Sequence, residues 1–256
     1  MGQGSFAIVC AVVFFCLNLR AGDTNQVSET PAQIKKNFAL RMGKAFQESR
    51  ALFLANTNSA TNAWQFGRAC FDLAEIATNN AAKAELAEQG IAACRQAVAR
   101  QPGLAAGHYY LGMTIGQLAD TKRNMAALKM VKEMEREFNT MRELDEHFDF
   151  AGADRNLGLL YYGAPTMISI GSRSKARQHL LRAVELAPEF PENHLNLVET
   201  LLRWNDHDDA SRALKSMEKA WPDAEKKFTG EAWAMSWLDW EKRLAAARKK
   251  IAANPK

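Results

Sequence analysis

The sequence predicts an all-α protein: a right-handed stack of about four irregular helix hairpins with accessory helices at both ends. Three observations predict it. Alanine supplies 43 of the 256 residues, against 15 glycines and 7 prolines. That balance favours helices over a sandwich or barrel of short strands. Apolar residues recur at helical spacing along most of the chain. Pro188 and Pro222 stand 34 residues apart, each twelve residues after a small residue, Ala176 and Ala210. The chain is 47% hydrophobic and 24% charged, which excludes a disordered protein. Its net charge of +4 is spread out, which argues against a dedicated nucleic-acid binder.

The N-terminus comes first. Phe6 to Leu17 is an unbroken apolar run of twelve residues. A spanning helix needs about 20, so the run fits a signal-peptide core, with residues 1–21 removed after Ala21. No Lys or Arg precedes the run, and Leu19 is bulky for a cleavage site. A buried N-terminal helix is the competing reading. Phe15 before Cys16 and Val9 before Cys10 make lipid attachment the lesser one. The mature protein would be exported, periplasmic or secreted, with no spanning segment, and would keep only Cys70 and Cys94.

Residues 22–62 form a polar leader and a helix. Pro31 opens a pattern placing Ile34, Phe38, Met42 and Phe46 on one face, and the Asn56-Thr57-Asn58-Ser59 cluster closes it. Residues 63–222 carry the repeats. His108-Tyr109-Tyr110-Leu111-Gly112 and Leu157-Gly158-Leu159-Leu160-Tyr161 read as first helices. Ala176, Leu180, Ala183 and Pro188 read as a second helix, and Leu197, Leu201, Ala210, Leu214 and Pro222 span one full unit. A degenerate copy runs from Phe66-Gly67 through Gly90, Cys94 and Ala97 to Pro102. These blocks resemble the tetratricopeptide repeat, whose helix pairs cannot bury an apolar face alone and must stack. Small residues sit where paired helices approach, and each Pro is expected to end its second helix. Extra residues lengthen the first pair at 76–86, a loop is inserted at Ala164–Ser172, and a long helix runs from about Arg123 to His147. Trp233, Trp237, Trp240 and Leu244 mark the inner face of a capping helix within 223–256.

The block from Gly152 to Tyr161, with Ala164-Pro165, Ser169-Ile170-Gly171-Ser172, Lys175-Ala176 and Pro188-Glu189-Phe190-Pro191-Glu192-Asn193, is similar to one branch of this superfamily. That branch comprises exported bacterial T components of tripartite ATP-independent periplasmic (TRAP) transporters. Ala153 stands where that branch often has Pro, and its lipoprotein Cys is missing. The resemblance implies a periplasmic helical module that assists a solute-binding subunit or docks a partner.

Candidate sites follow from placement. With a turn near Asn79 to Ala82, Cys70 and Cys94 fall at similar depth on antiparallel helices and are candidates for a disulfide. Two small buried residues that never meet is the alternative. Asp206-His207-Asp208-Asp209 reads as helix capping rather than a metal site. His108 and His194 occupy a position usually held by Trp and read as packing residues. Met125, Met130, Met134 and Met141 form a stripe that reads as core, with an adaptable ligand-binding face as the alternative. No nucleophile elbow, phosphate loop or H-E-x-x-H occurs, so neither enzyme chemistry nor a cofactor is expected. First helices line the groove of such repeats, so Arg68, Asp72, His108, Asn156, Asn193 and Asn196 are expected to face solvent and bind a protein partner. The second functional reading is a small apolar ligand held in an enclosed pocket near the Met-rich helix.

Overall fold

The computed structural model describes residues 29–122 and 125–253, with the side chains of 125 and 126 excepted. The signal-peptide expectation, with Cys10 and Cys16, lies outside these residues. All regular structure among the described residues is helical: α1 Pro31–Ala55, α2 Ala60–Ala74, α3 Asn80–Arg100, α4 Ala105–Thr121, α5 Met125–Leu144, α6 Phe148–Gly163, α7 Arg173–Leu186, α8 Pro191–Arg203, α9 His207–Lys227 and α10 Glu231–Ala252. The all-helical class and the hairpin pairing α2/α3, α4/α5, α6/α7 and α8/α9 agree with the sequence reading. None of these helices is long and apolar enough to cross a membrane.

The chain divides into two compact units, one of residues 41–186 and one of residues 29–40 with 187–253. In the first, α1 ends at the polar cluster and Ser59 caps α2, its hydroxyl accepting from the Asn62 N–H. Asn79 caps α3 in the same way through the Ala82 N–H. Each cap satisfies a donor that the helix itself cannot. Phe46 and Phe53 of α1 pack on Phe66 of α2 at ring separations of 5.6 and 5.4 Å.

Close approach within each hairpin follows the small residues. A Cβ on Gly67 would lie 2.1 Å from Cys94 Sγ, one on Gly112 2.6 Å from Phe138, and one on Gly158 2.7 Å from Leu180. Each first-helix glycine therefore accepts a side chain from its partner helix. Phe138 of α5 fills the space over Gly112, and Val131, Met134 and Met141 of the same helix are buried, so this part of the Met-rich stripe is core.

In the second unit, Pro191 begins α8, where its missing N–H costs nothing. Phe190 meets Phe228, Trp233 and Trp240 at 5.4, 6.3 and 5.6 Å. Trp233 and Trp240 are buried, as expected of a capping helix. Pro222 departs from expectation. It lies inside α9, which continues to Lys227. The physical reason is on either side of it: Trp221 packs edge-on to Trp237 at 5.3 Å, and Phe228 is buried in the aromatic cluster. That packing offsets the roughly 3 kcal/mol cost of an interior proline. Gly230, at φ 84°, makes the reversal into α10 instead. The break between α9 and α10 thus falls at 228–230.

Candidate functional site: a polar cluster on the first helices

The helices α2, α4 and α6 of the first unit bring together side chains that sequence spacing alone does not pair. Arg68 and Asp72 lie one turn apart on α2, 3.4 Å between their charged atoms. The Arg68 guanidinium also sits 5.8 Å from the centre of the Tyr110 ring, which stacks on Trp64 at 5.7 Å. Beside them, Tyr109 donates its hydroxyl to Asp149 Oδ2. The same oxygen takes a 2.5 Å hydrogen bond from Arg155 Nη2. Arg155 Nη1 donates to the carbonyls of Asp149 and Phe150 at 3.0 and 3.2 Å. Asn156 donates to Tyr109 Oη and to the Gly152 carbonyl.

A local backbone feature builds this cluster. Asp149, Phe150 and Ala151 have φ of 53°, 54° and 61°, three consecutive left-handed residues that are not glycine. Each is disfavoured by about 1–2 kcal/mol, so the surroundings must hold the turn. Arg155 does so by bridging two of its carbonyls. Gly152 makes room, since a Cβ there would lie 2.8 Å from the Tyr109 ring and 3.0 Å from Asp149 Oδ2.

Burial sets the electrostatics. It pushes the Asp72 carboxyl up to about 6, although Arg68 opposes the shift. Asp149 is likewise raised by burial against the pull of Arg155. Tyr109 and Tyr110 are raised by burial and by the nearby carboxylates. These groups are engaged with one another, which tightens helix packing rather than presenting a reactive atom.

The six expected contact residues are therefore not an open solvent-facing row. Asp72, His108, Asn156, Asn193 and Asn196 are all buried, and the Arg68 side chain is only 17% exposed. The reason is coverage by residues distant in sequence. Asn156 is enclosed with Tyr109, and Asn196 accepts from Arg243 Nη2 of α10 at 2.7 Å. Asn193 is wholly buried in α8. Tyr109, Asp149 and Arg155 were missed as a set because Asp149 and Arg155 are six apart, a spacing that a regular helix keeps on different faces.

His108 and His194 show a repeated device. Each Nε2 donates to the carbonyl of the proline six residues earlier, Pro102 at 2.8 Å and Pro188 at 2.7 Å. The histidines then diverge. His108 Nδ1 lies 2.7 Å from the Glu137 carboxylate, and both its partners only accept, so both nitrogens donate and the ring is cationic. The Glu137 hydrogen bond raises the His108 pKa against burial, while Glu137 is held below the usual range by His108 and Arg136, again against burial. His194 has no such carboxylate partner, and burial lowers its pKa.

A pH signature follows. The His108 contribution is present below its unfolded pKa of 6.5 and lost as pH rises through its raised folded value. The Glu137 contribution is present above 4.5 and lost as pH falls through its lowered value. His108→Gln therefore costs about 1–3 kcal/mol between those limits and much less at alkaline pH. Urea unfolding of both proteins across pH checks this; a deficit that does not change with pH would remove the ion pair from the account.

Cys70 and Cys94, the disulfide candidates, are buried and unbridged in this structure. The hairpin register explains it. Cys94 Sγ lies over Gly67, and Cys70 Cβ lies 3.0 Å from where a Gly90 Cβ would stand. Each cysteine faces the opposite helix's glycine, about one turn out of register with the other. Burial pushes Cys70 up to about 12 and raises Cys94 further, so neither is a nucleophile near neutrality. Alkylation with Cys10 and Cys16 replaced by serine should label both thiols on unfolding without reductant and neither in the native state. Labelling of none in the unfolded chain would restore the bridge.

Asp206 stands at the N-cap of α9 but makes no side-chain cap bond; Asp208 and Asp209 lie in the first turn, where the helix dipole favours them. Among the described residues no group of three or more His, Cys, Asp or Glu is placed to hold a metal.

Against known proteins, residues 29–150 match the family model for Regulator of microtubule dynamics protein 1-3, just under half of the chain. No curated protein matches the sequence. Among solved structures, a thermophilic TPR protein of Thermus thermophilus superposes with a TM-score of 0.62 at 18% identity, over 84% of this chain and 95% of that one. The fold is thus a tetratricopeptide-like helical repeat. Neither match is to a TRAP-transporter T component, so that resemblance gains no support from them.

Proposed function

We propose that this protein is a non-catalytic interaction module whose partner is another protein, bound along the first-helix face of the 41–186 unit. The observation that carries the reading is three successive tetratricopeptide-like hairpins, α2/α3, α4/α5 and α6/α7, in one compact unit. Repeats of this kind offer a continuous surface rather than a reaction centre. The buried ionisable groups described above are committed to each other, which supports a non-catalytic role.

Burial narrows the surface. Thr61, Gln65, Arg68 and Asp72 form one stripe on α2 at helical spacing. Thr61 and Gln65 are exposed, Arg68 is half-buried, and Asp72 is buried, so the stripe opens toward the start of α2. A photo-crosslinking residue at Gln65 is expected to capture a protein, while the same residue at exposed Gln178 on α7 is not. Equal capture at both positions, or none at either, defeats the assignment.

In its finer form the proposal keeps the exported location expected from residues 1–21 and an accessory role in solute uptake. The family match offers a competing partner, the microtubule, which an exported protein would not meet. Cell fractionation and sedimentation with polymerised tubulin separate the two. Met134 and Met141 are buried, which leaves Met130 as the partly exposed methionine of the stripe on which the small-ligand alternative would draw.

A further inference from the structure

The α6–α7 loop, residues 164–172, is absorbed by neither the repeat nor the polar cluster. It is a compact excursion. The Ser172 N–H donates to the Tyr161 carbonyl at 2.9 Å, and the Ser169 N–H to the Pro165 carbonyl at 3.1 Å. Its ends close so tightly that a Cβ on Gly171 would lie 2.0 Å from the Ala164 carbonyl oxygen. Ala164 is buried and anchors the base.

At the tip of this small, braced loop stand Met167 at 96% exposure and Ile168 at 68%. Scattered exposed apolar residues are common, but two adjacent large ones held out on a tied loop are not explained by folding. At 96% exposure Met167 projects outward rather than lining a recess.

Charge selects the occupant. No Asp or Glu occurs from Arg155 to Val184, while Arg173, Lys175, Arg177 and Arg182 all fall there. Arg173 and Lys175 are exposed at the start of α7, directly after the loop. Lys175 lies 4.8 Å from the centre of the ring of Tyr161, whose carbonyl closes the base of the loop. An apolar tip with a basic collar is complementary to an anionic lipid surface, whose headgroups attract Lys and Arg while the acyl boundary accepts the apolar side chains.

We propose that the α6–α7 loop docks this protein on an anionic membrane surface, with Met167 and Ile168 entering the headgroup–acyl boundary and Arg173 and Lys175 engaging the headgroups. Two apolar side chains give weak insertion by themselves, so the charges are required and binding falls with salt.

The test sediments the full chain with vesicles of phosphatidylcholine alone and of phosphatidylcholine with phosphatidylserine as about a third of the lipid. The expected result is preference for the anionic vesicles, a drop of roughly tenfold for the Met167→Ser, Ile168→Ser double variant, and loss of the preference for Arg173→Gln with Lys175→Gln. Every variant retains the apolar run at 6–17, so a difference between them reports the loop. Unchanged thermal unfolding confirms that they are folded, as expected for exposed positions. No binding by the wild type, equal binding to both vesicle types, or loop variants that sediment like the wild type would each overturn the proposal. In those cases the tip is left to a protein partner.

Discussion

Arg155→Met is expected to destabilise the 41–186 unit by about 3–5 kcal/mol, because it strands a buried carboxylate. Asp149 is buried and takes hydrogen bonds from only the Tyr109 hydroxyl and Arg155 among those described. Removing the guanidinium takes away the cation that hydrogen-bonds Asp149, leaving the weaker pull of Arg68, and also frees two carbonyls of the left-handed turn. The turn at 149–151 then loses the brace that offsets its strain. Two measurements separate these effects. Urea unfolding gives the total loss, and hydrogen exchange of the amides from His147 to Asn156 reports the turn. Asp149→Asn in the Arg155→Met background should recover part of the stability by removing the buried charge, while leaving the turn amides in fast exchange. A wild-type unfolding midpoint for Arg155→Met would show that the cluster carries little of the fold.

The second large effect lies in the other unit. Arg243 of α10 donates to Glu192 at 2.7 Å, to both oxygens of Glu199 at 2.9 Å, to Asn196 at 2.7 Å and to Asp239 at 3.3 Å. Glu192 is completely buried and also accepts from the Trp240 indole at 2.9 Å. Burial opposes the charge of Arg243, but Glu192 and Glu199 outweigh it and raise its pKa. Arg243→Met removes the cation from among three carboxylates, with an expected cost of about 3–5 kcal/mol near neutral pH. The sign of its pH dependence is fixed. Carboxylates deprived of their cation have folded pKa values raised above the unfolded ones, so the variant loses stability as pH rises and its deficit shrinks in acid. Glu192→Gln combined with Arg243→Met should recover part of the loss, since Gln still accepts from Trp240. Thermal unfolding from acidic to neutral pH, with the double-mutant cycle, checks both points. A deficit that grows in acid would remove the Arg243 ion-pair cluster from the account.

These arginines show where sequence reasoning reaches and where it stops. The hairpins were legible because their signals are local. Ser59 and Asn79 sit at helix starts, and Gly67, Gly112 and Gly158 mark the approach points the structure confirms. The candidate site was legible only in part. Arg68 and Asp72 are one turn apart on a single helix and do pair. Asn193 and Asn196 were expected in solvent because first helices line the groove of such repeats. Both are buried, and Arg243, nearly 50 residues later, covers Asn196. The disulfide turns on register, since a shift of one turn in a hairpin of the expected topology exchanges a cysteine neighbour for a glycine.

From its sequence alone, this protein was determined to be all-helical and built of paired helices, because periodicity, capping and small-residue spacing act within a few turns. Only the tertiary structure decided which polar side chains are buried, that α9 runs through Pro222, and that three left-handed residues open α6. Those outcomes depend on contacts across tens of residues, where one arginine or one aromatic cluster outweighs local preference. They are properties of neighbours, and a side chain's neighbours exist only once the chain has folded.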